Sequence, residues 1–360
     1  MEKIKLYQQI FNSIRCGDIP QKPTEYSEEE WICYLKEAKI PGLCKKIGLS
    51  ATQKSTEKKE SEIKKEYFKL MLLSNFRKNE SKRIIKAQNS QGITPVILKG
   101  IYLQEYIYPK GEFRFSNDID LYVTKKDDFN KSVEIIVNLG YKKYLYRSNL
   151  WQKRFSKGFT FLKIRNSDIK NFINIDLHKD LLFCPSDKRN HLNIPFEQDE
   201  FYEYSDYEDC RVKIMKRELA LIYLIYHHFK IHRFSNFINL YDLILLKDSN
   251  NLNIDLIYDI AKKIDYYDET RKVLELCDDF INNRNLKDLS QVLNKNYKNS
   301  FIEKIGYVKG CFNKIIYLYA YLFPSCKFLK SIYGKNRSCL ALRFSDIFSK
   351  TKSIRKKFFN

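Results

Sequence analysis

Apolar residues recur at intervals of three and four along residues 61–87, which is the spacing of one face of an α-helix. The positions on this stripe are Ile63, Tyr67, Leu70, Leu73, Phe76, Ile84 and Ala87. Residues 28–38 follow Ser27 and carry acids in their first turn, so they predict a second helix with a serine N-cap. Residues 50–60 are polar and lack apolar periodicity, which predicts a loop. We therefore expect residues 1–90 to form a helical N-terminal region.

The pattern changes to short apolar runs after residue 91. The runs with the length and residue types of β-strands are 94–98, 119–124, 141–146, 158–164 and 172–178. Segments 101–108 and 127–138 between them predict helices, and Gly140 follows the second helix as a C-terminal cap. The fold class predicted from this pattern is α+β, with a small mixed sheet in a catalytic domain at residues 91–205.

Helical periodicity returns after residue 211. The predicted helices are residues 217–229, 237–246, 254–264, 270–281 and 301–322. Residues 327–360 follow, with ten Lys or Arg against one acid, Asp346. Such a run forms either a solvated tail or helix face, or a contact to a phosphate backbone or an anionic surface. We expect residues 206–360 to form a helical C-terminal domain with a basic tail.

Composition narrows the class of protein. The 360 residues are 44% hydrophobic, enough for substantial cores, and no apolar run reaches the ~20 residues of a membrane span. The first residues have no signal-peptide core, and the nine cysteines form no CxxC pair. We therefore expect a cytoplasmic protein without zinc or disulfides. The formal net charge of +21 favours a polyanionic partner, although AT-biased coding would also enrich lysine.

One pair of acids stands out at the start of the second predicted strand. Asp118 and Asp120 are two residues apart, so both carboxylates face the same side of the strand. Adjacent buried carboxylates repel each other unless a cation compensates them. Mg²⁺ typically takes one or two carboxylates together with substrate phosphate oxygens. Such a pair also occurs at turns and helix caps, so its surroundings decide the interpretation.

Neighbouring residues support a phosphoryl-transfer site. Glycine after the first predicted strand permits close approach to a phosphate, lysine supplies positive charge, and arginine can bind phosphate through two nitrogens. A further acid on a later strand can approach the same metal ions, as a two-metal mechanism requires. The predicted metal ligands and catalytic residues are Asp118, Asp120 and Asp176, and the predicted nucleotide-binding residues are Lys99, Gly100 and Arg114.

The order of these residues resembles that of polymerase-beta-like nucleotidyltransferases, and more narrowly a group known as uncharacterised nucleotidyltransferases. The matching motifs are Leu98-Lys99-Gly100, Tyr108-Pro109, Arg114, Asp118-Ile119-Asp120-Leu121-Tyr122-Val123, Gly140-Tyr141 and Asp176-Leu177-His178. The resemblance implies transfer of a nucleoside monophosphate from an NTP, such as ATP, to an acceptor hydroxyl with release of pyrophosphate. It also implies two Mg²⁺ ions, with Mn²⁺ as a substitute. The acceptor stays open among RNA, a small molecule and a peptide, as does the oligomeric state.

Alternatives remain for single residues. The superfamily usually has Gly-Ser where this chain has Lys99-Gly100, so the mode of phosphate binding is not fixed by the motif. Lys99 is equally explained as a solvent-facing strand end, and Arg114 as the partner of Glu112 in a salt bridge. His178 shares the face of the nearby acid, where it orients a carboxylate, binds phosphate or is a hydrogen-bonded structural residue.

Two other functions fit parts of the pattern. One is a catalytically silent nucleotide- or RNA-binding protein of the same fold, which the intact acids argue against. The other is a sugar transferase, but that fold needs nucleotide-binding strands before the acid pair, and residues 1–90 predict helices instead. The basic and aromatic residues of 141–170 fit either nucleic-acid binding or an edge hairpin protected by lysines.

Overall fold

The computed structural model describes residues 2–16, 18–44, 58–144, 158–164, 172–181, 199–228, 237–248, 252–282 and 314–315. Within these residues the chain folds as α+β, with a mixed sheet flanked by helices from both ends of the sequence. This confirms the predicted fold class. The predicted tail at 327–360 and nearly all of the predicted helix at 301–322 lie outside the described residues. The division into three domains stays a prediction.

Helices precede, connect and follow the strands of the sheet. They are α1 (Glu2–Cys16), α2 (Glu28–Glu37), α3 (Lys58–Asn89), α4 (Lys99–Tyr106), α5 (Lys126–Asn138), α6 (Arg217–Ile225), α7 (Phe237–Lys247), α8 (Ile254–Lys263) and α9 (Tyr267–Ile281). Short 3-10 helices span Ile40–Leu43 and Asp199–Phe201. In the part of the chain that the structure describes, no helix has the length and apolar character to cross a membrane.

Seven strands in the described residues form one sheet. They are β1 (Val96–Ile97), β2 (Asp118–Tyr122), β3 (Lys142–Tyr144), β4 (Gly158–Ile164), β5 (Phe172–His178), β6 (Tyr202–Tyr207) and β7 (Cys210–Met215), in the spatial order β3–β4–β5–β2–β1–β7–β6. β2 runs parallel to β5 and β1 parallel to β7, while the other neighbours are antiparallel.

The apolar positions of the central strands build the core of the sheet. Ile119 lies opposite Ile175, and Leu121 lies opposite Leu177. All four side chains are almost completely buried. Since side chains alternate between the two faces of a strand, the polar residues between them are directed to the other face.

The hairpin of β6 and β7 is missing from the predicted elements. In β7 the apolar residues Cys210, Val212 and Ile214 alternate with Arg211 and Lys213, which is the period of a half-buried strand, so the sequence does carry this signal. β7 pairs with β1, so the sheet continues past residue 205, the predicted end of the catalytic domain. Helix α3 begins at Lys58, inside the segment predicted as a loop.

The N-terminal and C-terminal helices contact each other as well as the sheet. α3 packs against α2, α5 and β7, and α6 packs against α7, α8 and β7. α1 packs on the C-terminal helices, where Tyr7 contacts Phe237 and Phe11 contacts Phe280. Burying a large apolar side chain contributes about 1.5–3 kcal/mol. The N-terminal and C-terminal helical regions therefore share one hydrophobic core.

Candidate active site

Paired strands bring the predicted acids together. β2 and β5 run parallel, with Asp118 opposite Asn174 and Asp120 opposite Asp176. Thr160 of β4 lies opposite Asp176 in the next pair of strands. Residues paired in this way project from the same face of a sheet, so three carboxylates and their polar neighbours form one polar face.

Asp120 is the most enclosed of the three acids, at 1% exposed. Its Oδ1 accepts hydrogen bonds from Lys99 Nζ at 2.5 Å and from His178 Nε2 at 3.0 Å. Its Oδ2 is buried and has no hydrogen-bond partner in the described part of the chain. Burial alone would raise the pKa of Asp120, but the charge of Lys99 and the bond from His178 hold that pKa well below its usual value. Asp120 is therefore ionised and keeps one oxygen available to a ligand.

The other two acids are each held by a hydroxyl group. Ser116 Oγ donates to Asp118 Oδ1 at 2.8 Å, and Thr160 Oγ1 donates to Asp176 Oδ1 at 2.7 Å. The negative charge of Asp120, followed by burial, raises the pKa of Asp118. Burial, followed by the charge of Asp120, raises the pKa of Asp176 to about 6. Carboxylates that raise one another's pKa carry an excess of negative charge that a bound cation would relieve.

The side chains on this face fit a divalent metal ion. One ligand atom from each of Asp120, Asp176 and His178 lies within 4.8 Å of the others. The unpartnered Oδ2 of Asp120 and the mutual repulsion of the acids suit a hard cation such as Mg²⁺, which prefers oxygen ligands. Among the described residues this group contains His178, which is not a predicted ligand, and does not contain Asp118, which is one.

Lys99 neutralises Asp120 from the start of α4. Its backbone is left-handed, with φ of 40°, a conformation that costs roughly 1–2 kcal/mol for a residue with a side chain. Its ammonium group is buried against Asp120 and lies 3.3 Å from His227 Nε2. Burial would lower the pKa of Lys99, but the charge of Asp120 raises it above its usual value. Lys99 is therefore not a solvent-facing strand end, and its role in nucleotide binding stays a prediction.

Gly100 permits a close contact inside the site. A Cβ atom at this position would lie 2.5 Å from Ser116 Cβ and 2.6 Å from Ser116 Oγ. Only glycine therefore lets the Ser116 segment pack against α4 and place its hydroxyl on Asp118. The sequence predicts that Gly100 approaches a phosphate, and the group that approaches it in the structure is Ser116.

Arg114 forms a buried ion pair with Asp242 of α7, and not with Glu112. Its Nε and Nη2 donate to the two oxygens of Asp242 at 3.0 and 2.7 Å. Tyr108 donates to the same carboxylate at 2.6 Å, and His228 Nε2 lies 3.2 Å from it. Two of the three guanidinium nitrogens of Arg114 are thus occupied. Nη1 is the nitrogen left for the predicted contact to a nucleotide.

Residues 29–282 match a family described as uncharacterised nucleotidyltransferases. The chain belongs to this family. A solved structure of an antigenic nucleotidyltransferase-like protein from Paracoccidioides brasiliensis aligns with 60% of this chain and 91% of its own, at 13% sequence identity and a TM-score of 0.36. No curated protein matches the sequence. The segment matched by the family contains all the site residues described above.

A cavity of about 330 Å³ lies beside the acidic face of this family member. Its wall includes Arg77, Lys78, Gly100, Arg114, Ser116 and Asp118. The first two belong to α3, in the N-terminal region, and are not among the predicted site residues. The sequence of α3 gives no sign of them, because its apolar stripe indicates core packing and its charged residues are typical of a solvated helix face.

Tyr223 of α6 is a further residue absent from the predicted set. Its hydroxyl is buried and has no hydrogen-bond partner among the described residues. Burial raises the pKa of Tyr223, and the charges of Lys99 and Asp120 act on it in opposite directions. The charges of the acidic cluster of this nucleotidyltransferase-family chain therefore act on the phenol of Tyr223. Tyr223 stands in the continuous apolar run of α6, which by itself indicates only a core helix.

Proposed function

We propose that this chain transfers a nucleoside monophosphate from an NTP to an acceptor hydroxyl and releases pyrophosphate. The observation that carries the proposal is the convergence of three carboxylates on one face of β2 and β5, where Asp120 Oδ2 is buried without a partner in the described residues. Membership of a nucleotidyltransferase family supports the same reaction class. In this reaction the acceptor oxygen bonds to the α-phosphorus while the bond from that phosphorus to the bridging oxygen breaks.

Asp118, Asp120 and Asp176 would hold Mg²⁺, with two ions in this proposal and Mn²⁺ as a substitute. When bound, Mg²⁺ neutralises phosphate charge and lowers the pKa of the attacking hydroxyl. His178 is close enough to Asp120 and Asp176 to contribute a ligand atom as well. Mg²⁺ prefers oxygen ligands, and the carboxylates here outnumber the cations that lie close to them.

The remaining side chains orient these acids. Lys99 and His178 bind Asp120 Oδ1, so that carboxylate keeps one orientation. The hydroxyl groups of Ser116 and Thr160 hold Asp118 and Asp176 in the same way. Asp176 would take the proton of the acceptor hydroxyl as the new phosphorus–oxygen bond forms. Groups held in advance of the reaction lose little freedom when it occurs, which favours the transition state.

The proposal includes the two substrates of the reaction. The nucleotide is an NTP such as ATP, and the acceptor is RNA, a small molecule or a peptide. The net charge of +21 supports a polyanionic acceptor, since a basic surface attracts nucleic acid. A cytoplasmic location is part of the same proposal.

Incubation with each α-³²P-labelled NTP and Mg²⁺ tests this function. Cell RNA, cell protein and a small-metabolite extract serve in turn as the source of acceptor. We expect label in one fraction, lost with EDTA and reduced at least about 100-fold in Asp120→Asn, because that change removes a charged metal ligand. The matched control is Asp127→Asn, which neutralises an exposed acid in the first turn of α5.

The outcomes separate the possible functions. Transfer by wild type and Asp127→Asn, with none by Asp120→Asn, supports nucleotidyl transfer at this site. Equal transfer by Asp120→Asn would refute the assignment of the site. Binding of Mg²⁺ and NTP without transfer to any fraction would favour the catalytically silent nucleotide-binding protein instead.

A further inference from the structure

Arg77 brings a guanidinium group from α3 to the wall of the cavity beside Asp118. Its Nε and Nη1 atoms are buried and have no hydrogen-bond partner in the described part of the chain. Burial lowers the pKa of Arg77, and the negative charge of Asp118 opposes this effect. Arginine remains protonated in proteins, so this half-buried cation has two buried donors without an acceptor among the described residues.

The position of this guanidinium is fixed by an aromatic ring. The guanidinium carbon of Arg77 lies 4.5 Å from the centre of the Phe115 ring. Stacking on a ring occupies the face of a guanidinium and leaves its edge, where the N–H groups lie, to bind an anion. Leaving charged donors buried and unpaired is costly, so a fold that keeps them so gains stability when an anion binds.

The cavity wall holds three other cations, of which Lys110 is exposed and the other two already have partners. Lys78 contacts Glu105 at 3.1 Å and Glu208 at 2.7 Å. Arg114 is paired through two nitrogens with Asp242. Arg77 therefore differs from both, because its buried nitrogens form no such bonds within the described residues.

We propose that Arg77 binds the triphosphate of the NTP in this cavity, as a substrate-binding residue contributed by the N-terminal helical region. This inference rests on the proposed function. The triphosphate is favoured over a phosphate of the acceptor because Asp118 lines the same cavity, and Mg²⁺ at a carboxylate also takes nucleotide phosphate oxygens. A planar guanidinium can donate two parallel hydrogen bonds to one phosphate, and the cavity of about 330 Å³ is within the range of small-molecule sites.

Calorimetric titration of the full chain tests the inference without turnover. The probes are α,β-methylene-ATP with Mg²⁺, inorganic tripolyphosphate with Mg²⁺, inorganic phosphate, and adenosine. We expect Arg77→Gln to raise the Kd of the first two by about 10- to 100-fold, the effect of losing a charge-assisted pair, with adenosine unaffected. Arg83→Gln is the matched control, since Arg83 lies on the same helix and pairs with Glu80 away from the cavity.

Each contrary result has its own meaning. Unchanged affinity of Arg77→Gln for both triphosphate probes would overturn the inference. The proposed function would still stand if Asp118→Asn raises the Kd of methylene-ATP. Weaker binding of inorganic phosphate alone, with methylene-ATP unchanged, would assign Arg77 to another phosphate and also overturn it. Failure of wild type to bind methylene-ATP or any other NTP would refute the proposed function itself.

A second measurement needs no variant. Phenylglyoxal modifies free guanidinium groups, and mass spectrometry maps the modified residues. We expect tripolyphosphate to protect Arg77 in the wild-type chain and to leave modification of Arg83 unchanged. Equal modification of Arg77 with and without tripolyphosphate would contradict the inference even where Arg77→Gln fails to fold.

Discussion

Asp242 offers the sharpest test of how the C-terminal helices are joined to the site. Its side chain is fully buried and accepts hydrogen bonds from Tyr108, from two nitrogens of Arg114 and from His228. Asp242→Asn keeps the shape of the side chain but removes the negative charge. Arg114 then stays buried without a counter-charge, which is the costly half of a broken ion pair.

Asp242→Asn should lose a large part of the free energy of unfolding of a typical domain. Breaking a buried pair by removing one partner costs about 3–5 kcal/mol, whereas the whole free energy of unfolding is about 5–15 kcal/mol. An exposed pair on α9, Arg271 and Glu275, is the matched control, with the two side chains 50% and 57% exposed. Glu275→Gln should cost only about 0.3–0.5 kcal/mol, because water already screens that pair.

Urea unfolding of the two variants and wild type gives the measurement. A loss below about 1 kcal/mol in Asp242→Asn, with an unchanged slope against denaturant, would refute the idea that this pair is a strong link. A double-mutant cycle uses Arg114→Met, Asp242→Leu and the variant that carries both changes. If each change acts through the other residue, the double variant loses clearly less free energy of unfolding than the two single variants lose in sum.

The pH dependence of the same experiment has a definite sign. Burial would raise the pKa of Asp242, but Arg114 and His228 hold it well below the usual 3.8. A carboxyl whose pKa is lower in the folded state contributes stability above its unfolded pKa, and that contribution is lost as the pH falls below it. The stability difference between wild type and Asp242→Asn should therefore be full at neutral pH and shrink below pH 3.8.

Three further changes test other parts of the structure. Gly100→Ala places a Cβ 2.5 Å from Ser116 Cβ, so nucleotidyl transfer should fall by about 10²-fold, and Ser116→Ala should add little in that background. Ser27→Ala removes one half of the capping box of α2, the hydrogen bond from Glu30 N–H to Ser27 Oγ, and should cost about 1 kcal/mol in urea unfolding; an unchanged midpoint would contradict this. Burial raises the pKa of Cys44 to about 12, so iodoacetamide at pH 8 should label exposed Cys33 and spare Cys44 until the chain unfolds, and equal labelling rates would be contrary.

Local patterns account for what could be predicted. The spacing of three and four residues predicts α3, and the two-residue spacing of Asp118 and Asp120 predicts that they share a face. The order of the motifs indicates that Asp176 comes from another strand, and that strand pairs directly with β2. The first two features depend on periodicity within one element, and the third on the order of motifs along the chain, and the sequence shows both. The metal-binding role of the acids stays a prediction.

The features that could not be predicted depend on contacts between segments that are distant in the sequence. Arg114 and Asp242 form a buried ion pair although they are 128 positions apart in the sequence, and no periodic signal relates them. The approach of Ser116 to Gly100 depends on how a loop packs on α4, which the order of residues leaves free. Arg77 is one of many basic residues on a long helix, and only the fold distinguishes it from those in solvent.

The distribution of charge across the site suits a metal–triphosphate better than either component alone. On the acidic face, three carboxylates meet the ammonium of Lys99; the charge of Asp120, followed by burial, raises the pKa of Asp118, and burial, followed by that charge, raises the pKa of Asp176. On the cavity side of Asp118, the guanidinium of Arg77 has unpaired donors within the described residues. A divalent cation would offset the first imbalance and a phosphate the second. Since Asp118 borders both, one Mg²⁺–NTP complex can satisfy both at once, and each half should then bind more tightly in the presence of the other.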